Sequence, residues 1–270
     1  GDRIGLGLSV SNDVIGATAS STANLSYAYK IDFGKGIMSV GLQAGVRNFR
    51  TDWNRLDFKD PRQGDAAYDE DLINSWMPNF GVGLYFYAPK YYIGFSIPHL
   101  LDYDLRKAEN TNTELNQRIA RYYRHYFFHA GMAIPLKGNA VVFKPSVLFK
   151  SVNLFGEFSS KKNLQNNVTA PNEIDIDLSL YFYEVFWVGA AFRTSVETFF
   201  SESIGGNSFQ SSVGSADVWM AFTLKNGMRI GAAYDYPLTN ISGIAKGSFE
   251  VMMGYDFNFQ TKNMVTPRYF

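Results

Sequence analysis

His99, His125 and His129 are the whole imidazole complement of this 270-residue chain, and there is no cysteine. Thiol nucleophiles, thiolate metal sites and disulfides are therefore excluded. His125 and His129 stand four apart. On a strand they share one face, but at ~3.3 Å per residue they lie roughly 13 Å apart, too far to chelate one metal. No Gly-x-Ser-x-Gly elbow is present. Gly5–Gly7 and Gly81–Gly83 are two glycines of a nucleotide loop without the third and without a following helix, so they read as close-packing positions. No catalytic, cofactor-binding or metal-ligating residue is assigned. The densest carboxylates, Asp52, Asp57, Asp60, Asp65, Asp69, Glu70 and Asp71, lie in 50–76 among Arg55, Lys59 and Arg62. Oxygen ligands of that kind suit Ca²⁺, but a twelve-residue calcium-loop spacing is missing, and a solvated external loop is the preferred reading.

The elements that must position these residues are strands. In NEIDIDLSLYF (172–182), Ile174, Ile176, Leu178, Leu180 and Phe182 alternate with Glu173, Asp175, Asp177, Ser179 and Tyr181. Period two predicts one apolar and one polar face. Twelve such segments follow one another: 3–12, 22–32, 37–49, 79–88, 90–97, 124–136, 139–152, 173–183, 185–198, 216–225, 227–236 and 248–259. Five connections are very short, around Gly34-Lys35, Pro89, Lys137-Gly138, Glu184 and Asn226-Gly227. Six are longer: 13–21, 50–78, 98–123, 153–172, 199–215 and 237–247. Strict alternation of short and long connections predicts an antiparallel up-and-down outer-membrane β-barrel, short turns on one side and long loops on the other. Strand length agrees, since an apolar band of ~25 Å takes roughly 9–11 tilted residues. No stretch of about 18 apolar residues exists for a spanning helix.

The faces set the inside. Large apolar side chains fill one face of nearly every segment. The other mixes Gly, Ala and Ser with Arg47, Lys144, Lys150, Asp175, Asp177, Arg193, Arg229, Asp235, Glu250 and Asp256. This is the expected lumen, and Ile174 to Phe182 are expected to touch outer-membrane lipid. Lys144 and Lys150, Asp175 and Asp177, then Arg193 form a plus–minus–plus series on neighbouring strands. They either satisfy one another across strands and fill the interior, or line a hydrophilic path or peptide pocket. Lys+Arg and Asp+Glu are both 25, so no basic excess points to nucleic acid. The chain opens without an initiator Met or an apolar leader, as a processed or truncated product does.

Two loops carry aromatics suited to a protein partner: Trp53, Phe58, Tyr68 and Trp76 in the first, and Leu100, Tyr103, Tyr122 and Tyr123 in the second. Within the second, 105–120 is expected to form a short helix. Aromatic clusters beside short turns, such as Tyr85-Phe86-Tyr87, Tyr91-Tyr92 and Phe186-Trp187, fit an interfacial girdle. Pro145 interrupts one strand and is expected to mark a bulge. The whole of 1–270 is expected to form one barrel domain, with a short tail at 260–270.

The blocks RIGLGLSVSNDVIG (3–16), MPNFGVGLYFY (77–87), YYIGFSIPHLL (91–101), RHYFFHAG (124–131), FWVGAAFR (186–193), RIGAAYDY (229–236), SFEVMMGYDF (248–257) and the terminal PRYF (267–270) together resemble the PorP/SprF family of the Bacteroidota type IX secretion system. The likeness covers nearly the whole chain in order. It implies an integral outer-membrane location, with short turns and termini periplasmic and long loops extracellular. It also implies a role in protein export and gliding motility. The barrel would bind and anchor secreted surface adhesins through a C-terminal sorting domain and couple them to periplasmic components. Intact members carry a further region before the first block with room for two more strands, which implies about fourteen strands in all against about twelve here. The alternative reading of the residues is a passive channel or small-molecule transporter.

Overall fold

The computed structural model describes residues 3–52, 55, 72–101, 103–104, 121–122, 124–137, 140–152, 172–196, 214–238, 243 and 246–257. All regular structure among them is β, and no helix there is long and apolar enough to cross a membrane. The strands are β1 (Ile4–Ile15), β2 (Thr18–Phe33), β3 (Gly36–Asp52), β4 (Leu72–Ala88), β5 (Tyr91–Ile97), β6 (Tyr103–Asp104), β7 (Arg121–Tyr122) and β8 (His125–Met132). They continue as β9 (Ile134–Pro135), β10 (Val141–Val152), β11 (Glu173–Phe182), β12 (Phe186–Ser195), β13 (Gly214–Thr223), β14 (Met228–Pro237) and β15 (Ser248–Tyr255).

One antiparallel sheet runs β1-β2-β3-β4-β5-β8-β10-β11-β12-β13-β14-β15, each strand beside the next in sequence, with β9 beside β10; β6 and β7 form a separate two-stranded pair. Every segment expected from period two is a strand in this meander. β1 and β15 are its two ends, and no ladder joins them among the described residues. Residues of β15 are accordingly exposed on both faces.

Turn chemistry closes the short hairpins. Gly227 has φ +90°, and Asn226 Oδ1 accepts from the Met228 N–H at 3.1 Å, as an Asn-Gly turn requires. Between β11 and β12, Tyr183 and Glu184 both take positive φ, and the Val185 N–H donates to the Phe182 carbonyl at 3.0 Å. This is the primed geometry that matches strand twist, achieved here without glycine.

Three expectations need correction. The first connection, expected over 13–21, is a two-residue turn at Gly16-Ala17, because Ile15 pairs directly with Thr18. Loop lengths therefore do not alternate strictly. β3 and β4 also run on through 50–52 and 72–78 as one continuous ladder, which shortens the loop expected over 50–78. Arg50, Thr51 and Asp52 on β3 and Asn74 and Ser75 on β4 interrupt the apolar alternation before the pairing ends. Finally, Pro145 makes no bulge. β10 keeps one register with β8 and β9 on either side of it, and the β8–β9 interruption at Ala133 lies beside the residue facing Pro145. Proline has no N–H to donate there, and on the other side of β8 the ladder to β5 runs on through Ala133, whose N–H donates to the Lys90 carbonyl at 2.7 Å. The helix expected over 105–120 falls outside the described residues.

Candidate functional site

Register and exposure separate the faces. On β11, Ile176 and Leu178 are 39% and 51% exposed, while the Asp175 side chain keeps only 16% of its accessibility. The apolar face is thus outward, and Asp175 and Asp177 point inward, as the alternation predicts. Among the ten charged residues expected inside, Arg47 extends its Nε to Thr22 Oγ1 at 3.1 Å, between β3 and β2. Lys150 on β10 reaches Asp175 at 2.8 Å and Glu173 at 3.3 Å. Arg193 on β12 donates its Nε to Asp175 Oδ1 at 3.0 Å. The plus–minus–plus series therefore exists as a cross-strand belt. Its members are half-buried and mutually satisfied, which makes each costly to remove singly.

The belt continues onto β13 and β14, where Asp217 faces Asp235 directly in register. Asp217 is missing from the sequence reading although its parity within β13 puts it on the inner face; the neighbouring Ala216 and Val218 drew no attention to it. Glu250 lies on the inner face of β15, opposite Ala233. Arg229 and Asp256 pair through Nε at 3.0 Å near a short turn, both half-exposed.

Lys144 stands on the same inner face, on β10. Its ammonium sits 4.2 Å over the Trp187 ring, beside an aromatic layer that sequence reasoning placed only in part. Tyr181 lies against Trp187 at 4.1 Å, and both surround Val142, which is fully buried with Ala133. On β4, β5 and β8, Tyr85, Tyr92 and His129 make a second group, with ring centroids 5.5–5.8 Å apart. Each patch depends on glycine. A Cβ on Gly94 would fall 2.0 Å from His129 Nε2, one on Gly131 would fall 2.7 Å from the Tyr92 ring, and one on Gly189 would fall 2.5 Å from the Trp219 indole. In each case the ring belongs to the residue directly opposite the glycine in register. The rings lean across the bare backbone toward the next strand. Trp219 thereby passes over β12 and donates its Nε1–H to Asp177 on β11 at 2.8 Å.

The expected partner loops fare differently. Trp76 is not in a loop. It lies in β4, 68% exposed on the outward face, opposite Asn48. Leu100 follows β5, donates its N–H to Phe80 O at 2.8 Å, and its carbonyl accepts from Arg124 Nε at 3.0 Å. Tyr103 and Tyr122 are backbone register partners in the β6–β7 pair. Trp53, Phe58, Tyr68 and Tyr123 lie outside the described residues. His125 and His129 share the inward face of β8, with His99 edge-on to His125 at 6.3 Å. Among the described residues, no group of three or more potential metal ligands converges.

A meandering antiparallel sheet with an apolar outer face and a polar, charge-paired inner face is the architecture of an outer-membrane β-barrel. The chain belongs to the PorP/SprF family: the model of the type IX secretion system membrane protein PorP/SprF matches residues 1–255. It is a membrane component of that secretion system. No curated protein matches the chain. Among solved structures, a chain from "Unveiling the Mechanism Behind the in-meso Crystallization of Membrane Proteins" aligns at TM-score 0.37 and 13% identity, covering 92% of this chain and 79% of that one.

Proposed function

We propose that this barrel binds and anchors secreted surface adhesins through their C-terminal sorting domains and couples them to periplasmic components of the export and gliding apparatus of a Bacteroidota cell. The termini and the short turns near Gly34, Pro89, Glu184 and Gly227 face the periplasm, and the end that carries the long loops, together with the Gly16-Ala17 turn, faces outward. Family membership over residues 1–255 is the observation that carries this reading. The role is binding without bond chemistry. In support, Lys150, Asp175 and Arg193 are engaged with one another, and Asp177 with Trp219, rather than gathered among the described residues as an acid, a base and a nucleophile around a cleft.

The test is co-purification of the chain from outer membranes in mild detergent, followed by mass spectrometry. The expected result is a large surface protein in comparable amount, retained through its C-terminal region and lost when that region is deleted. A chain that emerges alone and carries ohmic current in planar bilayers would instead favour the passive channel. The charged inner belt is the feature that keeps that second reading in view.

A further inference from the structure

The short turns at one end of the sheet repeat a pairing of charge with apolar surface. Lys35 lies two residues past Phe33, Lys90 directly precedes Tyr91, Lys137 follows Leu136, and Lys225 follows Leu224. These four apolar residues keep the outward parity of β2, β5, β9 and β13 and are 42–61% exposed. The four lysines are exposed as well, and none of them has an ion pair among the described residues. Other charges at this end are engaged with one another, Arg3 with Asp32 at 3.8 Å and Arg229 with Asp256. Turns at one end come at every second strand, so they stand about 10 Å apart along the rim. The Gly16-Ala17 turn at the opposite end carries no charge. The lysine row is a local feature, because cations and anions balance at 25 each over the whole chain.

The outward face shows where the lipid ends. On β2 it is apolar from Ala23 through Leu25, Tyr27, Tyr29 and Ile31 to Phe33. That length matches the roughly 9–11 tilted residues of an apolar band of ~25 Å. Beyond Ala23 the outward row turns polar, where Ser21 donates to Asn12 Oδ1 at 2.7 Å and stands opposite Asn48. At the other limit Lys35 is two residues past Phe33, roughly 7 Å along the chain. Phe33 pairs with Gly36, so the Gly34-Lys35 turn is too tight to carry its ammonium far from that edge. A lysine stem lies along apolar surface while its head stays in the polar interface. The anions at that depth are lipid phosphates. Continuity with the lipid-facing surface favours them over an acidic protein.

We propose that Lys35, Lys90, Lys137 and Lys225 form a row that binds the anionic phosphate headgroups of the periplasmic leaflet. The leaflet rests on the orientation given above; the contact itself rests on the position of the row at the edge of the apolar band. Glu184, exposed in the turn between β11 and β12, interrupts the row and weakens it.

The experiment uses the full chain folded into vesicles of phosphatidylcholine alone, or of phosphatidylcholine and phosphatidylglycerol at three to one, with the folding equilibrium read by urea unfolding. Salt is set at about 0.01 M and about 1 M, where screening lengths are about 30 and 3 Å. Phosphatidylglycerol should raise the folding equilibrium constant at low salt and have little effect at high salt. Each Lys→Gln change at the four positions should reduce that gain about 5-fold, the equivalent of ~1 kcal/mol. All four together should remove it and leave stability in pure phosphatidylcholine unchanged. Glu184→Lys should enlarge it about 5-fold. If the fourfold variant fails to fold, the single variants and Glu184→Lys carry the test. The proposal is overturned if the wild type shows no gain, or if the folded lysine variants keep it in full. It is also overturned if, with no lipid gain, an acidic periplasmic protein co-purifies with the wild type and is lost from the variants. Lys225→Cys, the sole thiol of an otherwise cysteine-free chain, reports the leaflet. A bulky impermeant maleimide should label it only after the outer membrane is opened. Labelling of intact cells would sink the orientation and leave the headgroup contact standing, whereas a missing lipid gain sinks the contact alone.

Discussion

Leu178→Arg and Asp175→Leu test the face assignment on a single strand. Leu178 is the sixth residue of the ten in β11, faces outward at 51% exposure, and has Pro145 and Ala190 beside it in register. An arginine there lies against lipid near the middle of the span, where the cost is about 2–4 kcal/mol. At ~1.4 kcal/mol per decade, the folding equilibrium falls by roughly 30- to 700-fold. Asp175→Leu acts on the opposite face. It removes the carboxylate that Lys150 and Arg193 share, and both cations keep some solvent access, so the loss is about 1–3 kcal/mol. The assay is urea unfolding in lipid vesicles, with the folded fraction read from the gel shift of unheated samples. Leu178→Arg should lower the midpoint more than Asp175→Leu, and thinner bilayers should soften its effect while leaving that of Asp175→Leu unchanged. If Leu178→Arg unfolds like the wild type, the outward face does not meet lipid and the assignment is inverted.

Other predictions follow from the same geometry. Gly189→Val should abolish folding or cost at least about 2 kcal/mol, because its side chain would displace the Trp219 indole; Gly83→Ala, whose Cβ would meet only ordinary contacts at 3.5 Å, should change stability by less than about 1 kcal/mol, both read by unfolding midpoint. Gly227→Ala should cost about 1–2 kcal/mol, since φ is +90° there and the new Cβ would press on the Asp256 carbonyl. Arg229→Ala should shift the midpoint little, within about 0.5 kcal/mol, because its pair with Asp256 is half-exposed at the rim.

Period-two alternation located every strand of the main sheet, since one face of each strand must be apolar to meet lipid. It was weakest where that demand lapses. The Thr18–Ser21 stretch of β2 and the Asn74–Ser75 stretch of β4 pair as regular ladder but carry small polar residues, so they read as loop. Trp76 was misplaced for the same reason. Lumen charges were legible by parity, and the Lys150–Asp175–Arg193 belt is where neighbouring strands were expected to meet. The ring-on-glycine joints were not legible. They depend on which residue stands opposite Gly94, Gly131 and Gly189, and register between strands separated by long loops is not written in either strand alone.

The central claim is that this barrel retains exported proteins at the cell surface. The most direct measurement is the partition of a large surface adhesin between cells and medium, with and without the chain, beside the uptake rate of a small hydrophilic solute. The account predicts that without the chain the adhesin leaves the surface for the medium or the periplasm while solute uptake is unchanged. An adhesin still held at the surface, together with slowed solute uptake, would contradict it and identify the protein as a channel.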